Sequence, residues 1–192
     1  MSVPRLAFFG DSLFAGYGLA PNQALPARVE ALLRVEGREI RALNFGVSGE
    51  TAADGLRRLH RVLAGAPAAC LLEFGANDSF QGYSPAEVEQ NLEALVTALR
   101  GADLPVLLVG VRCLAFEDEY PAEAFEAVHP ALAKRHGLPL FPDILAPYVE
   151  DPDLLLPDGL HPNADGVEAM ARALLPQARD LLEAVASNPL PR

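Results

Sequence analysis

Five apolar runs of strand length recur along the chain, at residues 6–9, 40–45, 70–74, 106–111 and 138–141, and each is followed by a segment with helical spacing. Runs that are continuously apolar suit strands buried on both faces of a parallel sheet, where the alternating pattern of a half-exposed strand would be out of place. Strands alternating with helices imply right-handed crossovers that lay the helices on both faces. The predicted fold is therefore α/β, a doubly wound three-layer α/β/α sandwich. A chain of 192 residues, 51% hydrophobic, can bury one sizeable core. The expectation is a single domain over 1–192 with a frayed Pro-rich tail at 186–192.

The helices carry their own signals. Ser84-Pro85-Ala86-Glu87 reads as a capping box with proline at the first helical position, followed by Val88, Leu92, Leu95, Val96 and Leu99 at helical spacing. Residues 51–63 predict a helix with Leu56, Leu59 and Leu63 on one face and arginines on the other. Pro121 opens a further helix that Pro130 should kink or interrupt. The last helix begins near Asn163, buries Val167, Met170, Ala171 and Leu174, and is perturbed by Pro176.

Charge and hydropathy remove whole classes of function. A formal net charge of -11 repels phosphate backbones and anionic headgroups, which excludes nucleic acid as a partner. No apolar stretch approaches the roughly 20 residues needed to span a bilayer. The N-terminus lacks a basic region followed by a cleavable apolar segment, so the chain reads as cytoplasmic as written, and as periplasmic or secreted if a signal peptide has been removed. Cys70 and Cys113 each lie at one end of an apolar run, where buried thiols are common, and two cysteines make no disulfide framework.

In open α/β sheets the working residues lie beyond the carboxyl ends of the strands. Four polar segments lie at strand ends or in the C-terminal loop: Gly10-Asp11-Ser12-Leu13, Ser48-Gly49-Glu50-Thr51, Gly75-Ala76-Asn77-Asp78 and Asp158-Gly159-Leu160-His161. A serine hydroxyl becomes a useful nucleophile when a base takes its proton, and a histidine needs a carboxylate to fix its tautomer. Asp158 and His161 supply base and carboxylate in a segment that Pro157, Gly159 and Pro162 keep from being a regular strand. His60, His129 and His136 lie in helix-like segments and are expected on the solvated surface. Acyl transfer also needs donors where charge develops on the carbonyl oxygen. The Ser12 N–H, the Gly49 N–H and the Asn77 side-chain amide are the candidates. Singly, each of these segments is more often a plain turn or helix cap; together they make the set that acyl transfer requires.

With these four segments in order, the chain resembles the SGNH (GDSL-type) hydrolase family from about residue 6 to about residue 182. It is most similar to the branch of bacterial acyl-CoA thioesterases, lysophospholipases and arylesterases. The resemblance implies Ser12 as nucleophile, Asp158 and His161 as its acid–base partners, and Ser12, Gly49 and Asn77 as the oxyanion hole. It also implies a flavodoxin-like five-stranded sheet in the order 2-1-3-4-5, and hydrolysis of a small acyl ester or thioester through an acyl-enzyme, without metal or cofactor. Glu50 stands where this branch often has Asp. An apolar acyl groove is expected from aromatic and leucine-rich loops, with Asp11, Phe80, Tyr83, Phe116 and Leu156 as substrate-binding residues.

Two other chemistries compete. A carbohydrate O-acetylesterase on the same fold would want a short, polar acyl site, which these loops argue against. A magnesium-dependent phosphohydrolase could use Asp11, Asp78 and Asp158, but the Asp-x-Asp start that such phosphatases need is absent. A non-catalytic flavodoxin-like binding module would want a Gly-rich phosphate fingerprint, and none is present.

Overall fold

The computed structural model describes residues 3–113 and 120–187. Five parallel strands, β1 (Arg5–Gly10), β2 (Arg41–Gly46), β3 (Ala69–Glu73), β4 (Val106–Val109) and β5 (Leu140–Phe141), form one sheet in the order β2-β1-β3-β4-β5. The order reverses between β1 and β3, so the crevice at their carboxyl ends is the natural binding position. The helices are α1 (Ser12–Ala15), α2 (Leu25–Val35), α3 (Ala52–Ala64), α4 (Ala76–Phe80), α5 (Pro85–Gly101), α6 (Ala122–Glu126), α7 (Val128–His136) and α8 (Ala164–Ser187), with single 3₁₀ turns at Pro21–Gln23 and Pro152–Leu154.

Alternation along the strands divides the core into two layers. Leu6 and Phe8 of β1, Leu71 of β3 and Leu107 of β4 pack with Val29 and Leu33 of α2 and Met170 and Leu174 of α8. Their sequence neighbours Ala7, Phe9, Leu72 and Leu108 point the other way, into Val62 of α3, Leu92 and Leu95 of α5 and Leu132 of α7. Each central strand is thus covered on both faces, which is why its apolar run is unbroken. The edge strand β2 is different, with Arg41 and Asn44 exposed.

The capping box forms as read. Ser84 Oγ accepts from Glu87 N–H while the Glu87 carboxylate accepts from Ser84 N–H, and all five apolar residues of α5 are buried. Pro130 acts one turn upstream of itself. Its ring conflicts with the carbonyl four residues back, at Glu126, and the helix predicted from Pro121 divides there into α6 and α7, leaving Pro130 in the first turn of α7 where no N–H is needed. Pro176 breaks nothing, because Leu174, Ala178 and Leu181 stay buried on either side and packing carries α8 through.

Two surface expectations are corrected. Arg58 of α3 lies on the buried face with Gly55, Leu59 and Val62, whereas Leu63 is exposed. His129 is also buried, with Nε2 2.9 Å from the Phe74 carbonyl oxygen. Loss of water around its ring lowers the His129 pKa. Its helix packs that face against the turn after β3, which a reading of local sequence could not anticipate.

Candidate active site

The site grows from three turns at the carboxyl ends of β1, β2 and β3 and from the loop before α8. Asp11 follows β1 and caps α1, its Oδ1 accepting from Leu13 N–H at 3.0 Å. Ser12 is therefore the first residue of α1, where a backbone N–H has no intrahelical acceptor. Gly46, paired with Gly10 in the sheet, lets α1 lie on β2: a Cβ there would sit 2.1 Å from the Ala15 nitrogen. After β2 the chain turns at Gly49, whose φ of +82° suits glycine.

The loop before α8 is held as firmly. Leu156 N–H donates to the His161 carbonyl at 2.8 Å, Leu155 bridges Pro162, and Asn163 caps α8 through Asp165 and Gly166 N–H. The buried Tyr148 hydroxyl donates to the Leu160 carbonyl at 3.2 Å. Within this frame His161 Nε2 lies 2.9 Å from Ser12 Oγ and Nδ1 lies 2.8 Å from Asp158 Oδ2. Asp158 Oδ1 accepts the N–H groups of Leu160 and His161, each at 3.0 Å. Partial burial works against the Asp158 charge, but these two N–H groups and the His161 ring outweigh it and hold the carboxyl below its ordinary pKa. The Tyr17 ring lies 4.3 Å from the His161 ring, tilted by 33°.

Asn77, in the first turn of α4, donates from Nδ2 to Asp11 Oδ2 at 2.9 Å and to the Glu50 carbonyl at 3.1 Å. Beneath it lie buried acids. Glu73 Oε2 accepts from Asp11 N–H at 3.2 Å, and both Asp78 oxygens accept from Ala52 N–H. Burial raises the pKa of all three carboxyls, and in Glu73 the Asp11 charge raises it further.

Ser12, Gly49, Asn77 and His161 meet around a cleft of about 350 Å³, together with Asp11, Phe80, Leu145 and Tyr148. Of the predicted groove residues, Phe80 lines it, half exposed, and Asp11 lies at its base but is buried and engaged by backbone and Asn77. Tyr83 is a correction: it does not line the cleft and packs instead against the core layer that contains Phe9, Phe74 and Val88. Leu156 is not among the residues that line the cleft; its side chain rests against Gly18 while its backbone N–H secures His161. Phe116 lies outside the described residues. Sequence reasoning missed Tyr148, Leu145 and Arg58, none of which stands in a recognisable motif.

Among the described residues no group of three His, Cys, Asp or Glu side chains could hold a metal ion, and Asp158 faces His161 while Asp11 and Asp78 are bonded to backbone N–H groups. No helix among them is long and apolar enough to cross a membrane.

The model of the GDSL-like lipase/acylhydrolase family matches residues 8–169. Thioesterase 1/protease 1/lysophospholipase L1 of Escherichia coli strain K12 is 32% identical over 182 residues, covering 94% of this chain and 86% of that protein. The arylesterase of Vibrio mimicus is 28% identical over 162 residues, covering 84% and 81%. The crystal structure of AlinE4, an SGNH-hydrolase family esterase, superposes with a TM-score of 0.78 at 36% identity over 100% of this chain and 99% of that one. A match of this extent, on a sheet of the expected order, places the chain in the GDSL-like lipase/acylhydrolase family, as an acyl hydrolase of the SGNH type.

Proposed function

We propose that the protein is a serine esterase, acting on small acyl esters or thioesters of the kind its relatives' names describe, with Ser12 as nucleophile. The observation that carries this reading is the unbroken line of hydrogen bonds from Ser12 Oγ through both His161 nitrogens to Asp158. A carboxylate on Nδ1 keeps the proton there and leaves Nε2 free to accept the serine proton. His161 takes that proton as Ser12 attacks the acyl carbon, then returns it to the departing alcohol or thiol, and water discharges the acyl-enzyme by the reverse sequence. Asp158 stays ionised, its two backbone donors holding it charged beside the imidazolium.

The developing oxyanion is received by the N–H groups of Ser12 and Gly49 and by the Asn77 amide, a contribution of roughly 3 to 4 kcal/mol per donor. In the resting site Asn77 Nδ2 donates to Asp11 and to the Glu50 carbonyl, which fix the orientation of the amide, and one of these two bonds gives way when the amide donates to the oxyanion. The acyl chain lies along Phe80, Leu145 and Leu160, an apolar lining that favours chains longer than acetyl.

The test is a fluorophosphonate probe on the wild type and on Ser12→Ala, read by intact mass and followed by hydrolysis of a nitrophenyl ester series from acetate upward. One label per chain, lost in the variant, is expected. A folded wild type that takes no label would remove the serine mechanism.

A further inference from the structure

Arg58 stands out because it is buried on a helix face that could have been wholly apolar. It lies against the Phe9 and Phe74 rings, with its guanidinium carbon 4.8 Å from the centre of the Phe9 ring. Replacing a buried charge by an apolar side chain of similar size is often neutral or stabilising, so folding alone is a weak reason to keep it.

Its donors reach three places, each adjoining the site. Nη2 donates to the Gly10 carbonyl at 3.0 Å, the peptide immediately before Asp11-Ser12. Nη1 donates to the Phe45 carbonyl at 2.7 Å, at the end of the neighbouring strand. Nε pairs with the Glu50 carboxylate, in the turn that carries Gly49. Glu50 in turn offers its backbone carbonyl to Asn77 Nδ2 at 3.1 Å, and the Gly49 carbonyl accepts from Gln81 Nε2 at 3.1 Å.

We infer that Arg58 is a positioning residue for the oxyanion hole, one planar cation that holds the Ser12, Gly49 and Asn77 donors in register across three separate turns. The inference rests on the esterase reading. A guanidinium suits this task because its donors diverge in a fixed plane, whereas a lysine ammonium could reach only one or two of the three acceptors at a time. Arg58 touches no reacting atom. It acts by fixing peptide planes, and a misplacement of about 1 Å is costly where donors must meet a developing charge.

The experiment compares wild type, Arg58→Met, Arg58→Lys, Glu50→Ala and Glu50→Asp on nitrophenyl butyrate. It also measures inhibition by a butyl boronic acid, whose tetrahedral adduct places an oxygen in the hole. Expected are a fall in kcat of about 30-fold or more in Arg58→Met with KM changed less than about threefold, and a parallel loss of boronate affinity. Arg58→Lys should recover only part. Glu50→Ala should lose kcat and Glu50→Asp should restore most of it, which keeps the test open if an Arg58 variant fails to fold. Adding Glu50→Ala to Arg58→Met should cost little more than Arg58→Met alone, since both break one linkage. Unchanged kcat in a folded Arg58→Met, or full additivity of the two losses, overturns the inference. So does a kcat loss without any loss of boronate affinity. Fluorophosphonate labelling of the wild type separates the two failures: without labelling the esterase reading falls and this inference with it, whereas labelling with an indifferent Arg58 removes the inference alone.

Discussion

The carboxylate of Asp158 is held by two backbone N–H groups on one oxygen while its other oxygen faces His161 Nδ1 at 2.8 Å. The side chain is fixed by its own loop before it orients the imidazole. Asp158→Asn can keep a similar geometry but lets the ring adopt the wrong tautomer. A fall in kcat of up to about 10⁴-fold is expected, with Tm close to wild type. Steady-state hydrolysis of nitrophenyl butyrate, with calorimetry on the same sample, checks both halves, and near-wild-type turnover would contradict the role given to Asp158.

Asp78 sets a pH dependence of stability. Burial pushes its pKa up to about 6, against the opposing hydrogen bond from Ala52 N–H. Because its unfolded pKa is near 4, the protonated form favours folding, so the contribution is present below about pH 4 and lost as the pH rises through about 6. The stability lost across this window is no more than about 3 kcal/mol. Asp78→Asn, which keeps an acceptor for Ala52, should flatten the change of Tm between pH 4 and 7. Parallel Tm curves for the two proteins would show that this carboxyl does not titrate in that window.

Gly46→Ala tests how α1 is seated. The new methyl group would meet backbone atoms of Phe14 and Ala15 at 2.1 to 2.7 Å, and backbone cannot rotate away as a side chain can. The variant should lose about 2 to 4 kcal/mol in urea unfolding, and its residual folded form should label slowly with fluorophosphonate because Ser12 shifts with α1. Wild-type stability would mean that α1 moves freely on β2.

Phe80 is half exposed and lines the cleft, so Phe80→Ala should change selectivity more than chemistry. Hydrolysis of the octanoate ester should fall about 5- to 30-fold in kcat/KM while the acetate ester stays within about twofold, the effect of losing one apolar contact surface. Equal losses on both esters would place the acyl chain elsewhere.

The sequence by itself determined which segments become strands and helices and which residues gather at the site. Strands covered on both faces must be continuously apolar, and caps such as Ser84 and Asn163 act within a few residues of themselves. Ser12, Gly49 and Asn77 could be named because a parallel sheet delivers whatever follows its strands to one edge, and His161 because Asp158 stands three residues before it in a loop that Pro157, Gly159 and Pro162 keep irregular. What lies between layers was decided only by the tertiary structure. Arg58 and His129 look like surface residues along their helices, yet each is buried where its helix meets the turns after β1, β2 and β3. Tyr83 looks like a groove residue, yet it packs against the other core layer, and Leu156 rests against Gly18 and is not among the residues that line the cleft. A side chain's neighbours across a layer are set by how helices pack on a twisted sheet, over separations such as the 48 residues between Gly10 and Arg58, and local pattern carries no record of that packing.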